Sequence, residues 1–505
     1  MAFRFVKPSA RHALIAVLAL SLAAPGWADI NYSDLPDLGA ASREGMSPTQ
    51  ERELGEGAIR EIRRSGALSD DPEVNEYIRR IGGKLVDASG DISTSFSFYV
   101  LIDKTVNAFA MPGGFIVIHS GLLAATQSES ELASVMAHEI AHITQHHIAR
   151  MVDSQRMTPW MLLGALGLAI IAAKAGNSGA GMAAVVGSQG YAIQRQLDFT
   201  YAFEQEADRI GMQTMQKSGL DPAAMPLFFQ RLQKENRLVE GGAPEFLRTH
   251  PVTYKRIADA QARLKGGSYK QYPDSTDYRF VREKLRILQM APKEAVSLYG
   301  KTLAQKRYAH LPMQLYGYAF AQWRDGAFDA AWQTLADARS AYGSDHPALD
   351  YLAGQIRLSQ QKYDAALALF RDAGQHFPSS RALLYGEADT LIAAGRYDDA
   401  LVRIHSAQEL YASDANLYQR EARAYAGKGE MQRQYKAQAE YYVRLLEYGP
   451  AIEQLQLAQR QPGNDFYLQS EIDARLLDVM ALAGRSDKRG DGSKLDASTP
   501  VAAKL

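Results

Sequence analysis

Between about residues 280 and 480 the chain repeats itself, and that repetition limits its fold more than any other feature. Ala319, Gly354, Ala388 and Ala422 stand 35, 34 and 34 residues apart. Phe328, Tyr363 and Tyr397 keep the same intervals, as do Ala331, Ala366 and Ala400. Each unit therefore carries a small residue, an aromatic nine positions later and an alanine three beyond that. Small residues let two helices cross closely, and an aromatic ring fills the gap beside them. One such unit cannot bury its apolar face alone, so a period near 34 predicts stacked helix pairs, an all-α solenoid. Pro378 ends one unit, and Glu294-Ala295 marks another upstream. Gln434 stands where alanine is expected, so the units after Glu430 are degenerate.

The second constraint is His138-Glu139-Ile140-Ala141-His142. It lies in a run that reads as helix, with Leu132, Val135, Met136, Ile140 and Ile143 forming a core-facing stripe. Ser128 and Glu131 read as a capping box at its start. Histidines at i and i+4 emerge on one face, where they can take two corners of a zinc tetrahedron. The neighbouring Glu139 can then take a proton from water at an open corner as that water attacks a carbonyl. A catalytic zinc needs a third protein ligand. Glu204-Gln-Glu-Ala-Asp208, in a predicted helix from Phe203 to Gln216, supplies a candidate. Alone, this acidic cluster would read as a solvated helix face. Beside the histidine pair, Glu204 reads as the third ligand. Asp208, on the same helix face, reads as an acceptor for the second ring N–H of a ligand histidine. His119, His146 and His147 are read as ordinary surface polarity, with His146 on the face of His142 one turn farther on.

Several segments match one family in order: Asn107-Ala-Phe-Ala-Met-Pro-Gly-Gly-Phe-Ile-Val-Ile, Ser120-Gly-Leu-Leu123, His138 to His142, Glu204 to Asp208, and Thr249-His-Pro251 with Arg256-Ile257. Over roughly residues 45–265 the chain resembles the CAAX-prenyl-protease-like gluzincin metallopeptidases. The repeat tail resembles the tetratricopeptide family. The resemblance implies an α+β, mostly helical chain: a zincin-like metalloprotease domain followed by a tetratricopeptide-repeat solenoid. It implies Zn2+ on His138, His142 and Glu204, with Glu139 as general base. His250 has three open readings: a turn residue before proline, a donor to the oxyanion, or a histidine on the open zinc position that holds the enzyme idle.

Strands are expected at Phe96 to Ile102 and Phe115 to Ile118, with Met111-Pro-Gly-Gly114 as the turn feeding the second. One strand should border the cleft, where an extended substrate can add to its edge. Residues 1–28 read as a secretory signal, with Arg4, Lys7 and Arg11 before the apolar run Ala13 to Ala24 and Gly26-Trp27-Ala28 before the cut. The chain has no cysteine, which removes disulfides and thiol chemistry. A formal net charge of −1 gives no electrostatic case for nucleic acid. The segment from Trp160 to Ile193 is apolar with one charge, Lys174. Its 14-residue apolar run, Trp160 to Ala173, is shorter than the roughly 20 residues needed to span a bilayer. A helical cover near the site, peripheral membrane contact and a spanning hairpin all remain open for it.

The expected organisation is a signal peptide at 1–28, a zinc metalloprotease domain at 29–265, a repeat domain at 266–482 and a disordered tail at 483–505. With the resemblance, this implies a periplasmic zinc endopeptidase that degrades misfolded or misassembled outer-membrane proteins and assists their assembly. The repeats would recruit those clients or the outer-membrane assembly machinery. The alternative is a non-proteolytic chaperone or scaffold that acts through the repeats around a structural zinc.

Overall fold

The computed structural model describes residues 46–155, 190–238, 245–264, 271–461 and 465–490. The signal segment, most of 160–193 and the end of the tail lie outside the described residues. Among the described residues no helix is long and apolar enough to cross a membrane.

Two helices open the chain. Helix α1 (Pro48–Arg64) starts at a capping box, in which Ser47 N–H donates to Gln50 Oε1 and Gln50 N–H donates to Ser47 Oγ. Helix α2 (Pro72–Ser89) is capped by Asp71 and ends at Gly90, whose φ of 81° only glycine adopts freely. A three-stranded sheet follows, built from β1 (Ser97–Leu101), β2 (Ala108–Met111) and β3 (Phe115–His119). Its order is β1-β3-β2. β1 runs parallel to β3 and β2 antiparallel to it, with Ser97 opposite Phe115 and Ala108 opposite Ile118. β3 is central and buried along its length. The β2–β3 turn depends on Gly113 and Gly114, at φ 75° and 89°. A Cβ on Gly113 would lie 2.4 Å from the Arg52 backbone, because α1 rests on this turn. The strands expected from sequence are β1 and β3. β2 was missed because Ala-Phe-Ala-Met is short and lacks β-branched residues.

Short helix α3 (Ser120–Ala125) leads to α4 (Glu129–Thr144), which carries the histidine motif. Ser128 caps α4 as expected, but Glu131 Oε2 accepts from Gln127 N–H, not from Ser128. The helix was expected to bury one stripe. It is instead buried on nearly all sides, packed among α2, β2, α6 (Gly190–Lys217) and α7 (Ala224–Leu238). α6 begins well before the predicted Phe203. Its Gly211 brings it close to α4, where a Cβ would lie 3.2 Å from the His138 backbone nitrogen. Helices α5 (His147–Gln155), α8 (Glu245–Thr249) and α9 (Tyr254–Arg263) complete this part.

Helix α10 (Thr276–Leu288) serves two cores. Tyr278, Val281 and Leu285 pack with the sheet and α4, while Phe280 and Ile287 pack into the repeats. The repeats continue through α11 (Pro292–Ala304), α12 (Leu311–Arg324), α13 (Phe328–Tyr342), α14 (Pro347–Ser359) and α15 (Tyr363–His376). They end with α16 (Arg381–Ala393), α17 (Tyr397–Leu410), α18 (Ala415–Lys428), α19 (Met431–Arg444), α20 (Tyr448–Arg460) and α21 (Phe466–Gly490). α21 therefore covers the start of the tail expected to be disordered. Small residues let the helices approach as predicted, and Tyr397 fills such a gap against Gly427, although at Gly354 the filling ring differs. A Cβ on Gly354 or Gly386 would lie 2.3 Å from the Phe370 ring, not against Tyr363. The solenoid also meets the first two helices. Lys284 of α10 pairs with Asp71 (2.6 Å) and Glu73, and Arg63 Nη1 donates to Leu445 O at 2.8 Å.

Candidate metal centre

α4 presents His138 and His142 to α6, and their Nε2 atoms stand 3.0 Å apart. Glu204 of α6 faces both: Oε2 lies 3.3 Å from His138 Nε2 and Oε1 lies 3.3 Å from His142 Nε2. His250, at the end of α8, brings Nδ1 to 3.0 Å from Glu204 Oε1 and 3.3 Å from His138 Nε2. One donor atom from each of these four residues lies within 4.8 Å of all the others. α8 is pinned for this purpose, because Phe246 N–H donates to Val106 O just before β2.

This geometry can be tested against a metal ion. Ligands at about 2.0–2.1 Å on a tetrahedron place donor atoms about 3.3 Å apart. The observed separations of 3.0–3.3 Å fit a single ion held by nitrogen and carboxylate donors. The charge pattern fits as well. Burial lowers His138, but Glu204 and Asp208 outweigh it and lift the imidazole to about 10. Burial lowers His142 to about 4. Burial raises Glu204, yet His250 and His138 hold it well below the usual carboxylate range. Glu204 and Asp208 thus gather negative charge at the point where a cation would sit.

Around these four residues lies a ring of supports. Asp208 Oδ1 is 3.0 Å from His138 Nδ1. Arg256 of α9, 1% exposed, donates from Nε and Nη2 to Asp208 at 2.7 Å each, and its Nη1 lies 2.7 Å from Glu204 Oε2. Glu139 is 1% exposed, and its Oε1 has no hydrogen-bond partner. The nearest ionisable contact of that oxygen is His250 Nε2, at 3.5 Å.

The readings of His119 and His147 as surface residues are corrected here. Both are buried. His119 Nδ1 lies 2.7 Å from Thr105 Oγ1, away from the cluster. His147 Nδ1 lies 2.9 Å from His142 Nδ1, and its Nε2 lies 3.2 Å from Glu206 Oε2. Hydrogen bonds from His147 and Arg150 hold Glu206 at about 2. The helix ends at Thr144, and His146 takes φ 52°. That break rotates His147 onto His142. A continued helix keeps His146 on the face of His142, one turn farther on.

Residues 72–264 match the family model "Peptidase family M48", and residues 357–424 match a tetratricopeptide-repeat model. The chain is 33% identical over 487 residues to the beta-barrel assembly-enhancing protease of Escherichia coli (strain K12), covering 96% of this chain and 98% of that one. It is 34% identical over 410 residues to the protein of the same name in Yersinia pestis, covering 80% and 83%. Mitochondrial metalloendopeptidase OMA1 of Schizosaccharomyces pombe is 29% identical over 195 residues, covering 39% of this chain and 54% of that one.

Proposed function

The chain belongs to peptidase family M48 and is a metalloprotease, and on that premise we propose a zinc-dependent endopeptidase of the bacterial periplasm. In this reading it degrades misassembled outer-membrane proteins and assists their assembly, while the repeats bring clients to the site. One observation carries the catalytic part: His138, His142, Glu204 and His250 converge beside the unpartnered carboxylate oxygen of Glu139. The client class and compartment rest on likeness to relatives named as beta-barrel assembly-enhancing proteases.

We assign metal binding to His138, His142 and Glu204. Zinc bound there supplies Lewis acidity, which polarises a carbonyl and acidifies water. Glu139 Oε1 accepts the proton of the attacking water and returns it to the departing amine nitrogen. Asp208 sets a negative charge 3.0 Å from His138 Nδ1, outside hydrogen-bond geometry, and so favours the tautomer protonated at that nitrogen. His147 does the same for His142, since its Nδ1 accepts from His142 Nδ1–H while its Nε2–H donates to Glu206. Arg256 keeps the two buried carboxylates in place.

His250 is read as the fourth ligand of the resting enzyme. Its Nδ1 lies on the same donor polyhedron as the other three residues, which favours this role over an oxyanion donor. His250 would then have to turn aside before a substrate could enter. β2 is the outer strand beside α4, and the Asn107–His119 bond sets a ladder in which Ala108 and Ala110 face away from β3. An extended substrate adding to that edge would pass the cluster. The domain division of 29–265 and 266–482 is retained as a proposal, with α10 as the shared helix. Casein digestion with and without a chelator tests the function. Activity should vanish on chelation and return with zinc; chelator-insensitive cleavage would refute it.

A further inference from the structure

The sheet has a second outer edge. β2 packs beside α4, but β1 faces the repeats across a cavity of about 630 Å3. Phe98 and Val100 of β1, Arg79 of α2, Arg381 of α16, Asp414 and Arg444 are among its walls. That volume lies within the roughly 300–1,000 Å3 of ordinary ligand clefts.

The ladder decides which backbone groups face this space. Ser97 N–H donates to Gly114 O at 2.8 Å, so Ser97, Tyr99 and Leu101 turn their backbone groups toward β3. Phe98, Val100 and Ile102 turn theirs outward. Beyond the cavity two outward groups are satisfied: Ser69 N–H donates to Val100 O at 2.8 Å, and Ile102 N–H donates to Ala67 O at 2.7 Å. The N–H and C=O of Phe98 and the N–H of Val100 lie before that short bridge. Among the described residues no strand runs beside them. An unpaired edge enclosed under a solenoid is a template for one more strand.

The charge of the cavity selects the strand. Arg63, Arg79, Arg381 and Arg444 line it, against the carboxylates of Asp70 and Asp414. Three of the arginines are engaged: Arg63 with Leu445 O, Arg381 with Asp414 at 3.2 Å, and Arg444 with Ala412 O at 3.0 Å. Arg79 is exposed and forms no ion pair among the described residues. Arg381 repels its guanidinium, and Asp414 and Glu76 attract it without closing to an ion pair. A carboxylate placed beside Arg79 would relieve that repulsion.

We propose that this cavity is a second peptide site, which holds an extended acidic segment of a polypeptide as an added strand on β1 with a carboxylate on Arg79. A phosphate or lipid headgroup could use the arginine but would leave the strand edge unpaired. The site stands on its own geometry and needs no proteolysis, so its failure would leave the proposed enzyme untouched.

The test uses the full chain carrying Glu139→Gln, so that no probe is cleaved. The probe is a fluorescein-labelled peptide of alternating valine and aspartate, amidated at its C-terminus, with binding followed by fluorescence anisotropy. Saturable binding is expected. Asparagine in place of aspartate, N-methylation of alternate amides, or Arg79→Glu in the protein should each weaken binding by about tenfold or more. Arg79 is exposed, so its variant should melt with the parent. No saturable binding, or equal binding by the Arg79→Glu protein, would overturn the proposal. Equal binding by the N-methylated peptide, with displacement by inorganic phosphate, would overturn it in favour of a simple anion site.

Discussion

Replacing Arg256 with methionine should cost the fold about 3–5 kcal/mol, the usual loss when one partner of a buried ion pair is removed. The structure explains why the loss should be this large. Arg256 is 1% exposed and answers two carboxylates at once, with contacts of 2.7 Å to both oxygens of Asp208 and to Glu204 Oε2. It also donates to Pro251 O at 3.0 Å, which ties the segment after His250 to the cluster. Methionine keeps much of the apolar volume against the Phe229 ring but returns none of these bonds. Asp208 would then depend on His138, and Glu204 on the three histidines around it. Arg256→Lys should fall between, because an ammonium cannot reproduce the planar fork. The assay is urea unfolding in excess chelator, so that metal binding to the native state does not mask the loss. Adding Asp208→Asn to the methionine variant should recover part of the stability, since one of the stranded charges is gone. A loss below about 1 kcal/mol for Arg256→Met would refute the reasoning, because it would mean that these carboxylates need no cation to stay buried.

Three further outcomes follow from the same geometry. His147→Ala should weaken zinc binding by about 10–100-fold, measured by competition with a chelating dye, and unchanged affinity would remove the residue from its supporting role. Burial lifts the Glu73 carboxyl to about 7 from an ordinary 4.5, against the pull of Lys284, so the folded state holds that proton more tightly. The stability from Glu73 is therefore present below pH 4.5 and lost as pH rises to about 7. Glu73→Gln should accordingly flatten the fall in stability that wild type shows between pH 4.5 and 8 by urea unfolding, because the carboxyl that titrates at about 7 is gone, and an unchanged pH dependence would refute this. His250→Ala should raise basal casein cleavage if the imidazole caps the resting site; a fall of about 10²–10³-fold would instead make it an oxyanion donor.

Much of this centre was legible in the sequence because it lies within single helices. The i, i+4 spacing carries His138 with His142 and Glu204 with Asp208, and needs no tertiary information. The repeats were legible for a similar reason, since each unit contacts only its neighbours and its period survives in the chain. What escaped depended on breaks and on meetings of distant segments. His147 reaches His142 only because the chain leaves the helix at a left-handed His146, a conformation no histidine codon announces. Arg256 stood within the family-matching segments without a role, because its partners sit on α6, distant in sequence. β2 carried too little β-branched character to be seen, so the substrate edge was assigned to no particular strand. Helix α10 could not be divided between two cores from periodicity alone, because its residues face both.

The central claim is that Glu139 is the proton acceptor of a metal-dependent protease. Glu139→Gln keeps the side chain's size and removes its basicity. Its most direct test pairs zinc content with cleavage of an unfolded substrate on one preparation of this variant. The account predicts about one zinc per chain, an unchanged fold and loss of most proteolysis, at least about 10²-fold. Wild-type cleavage by a zinc-loaded Glu139→Gln protein would contradict it.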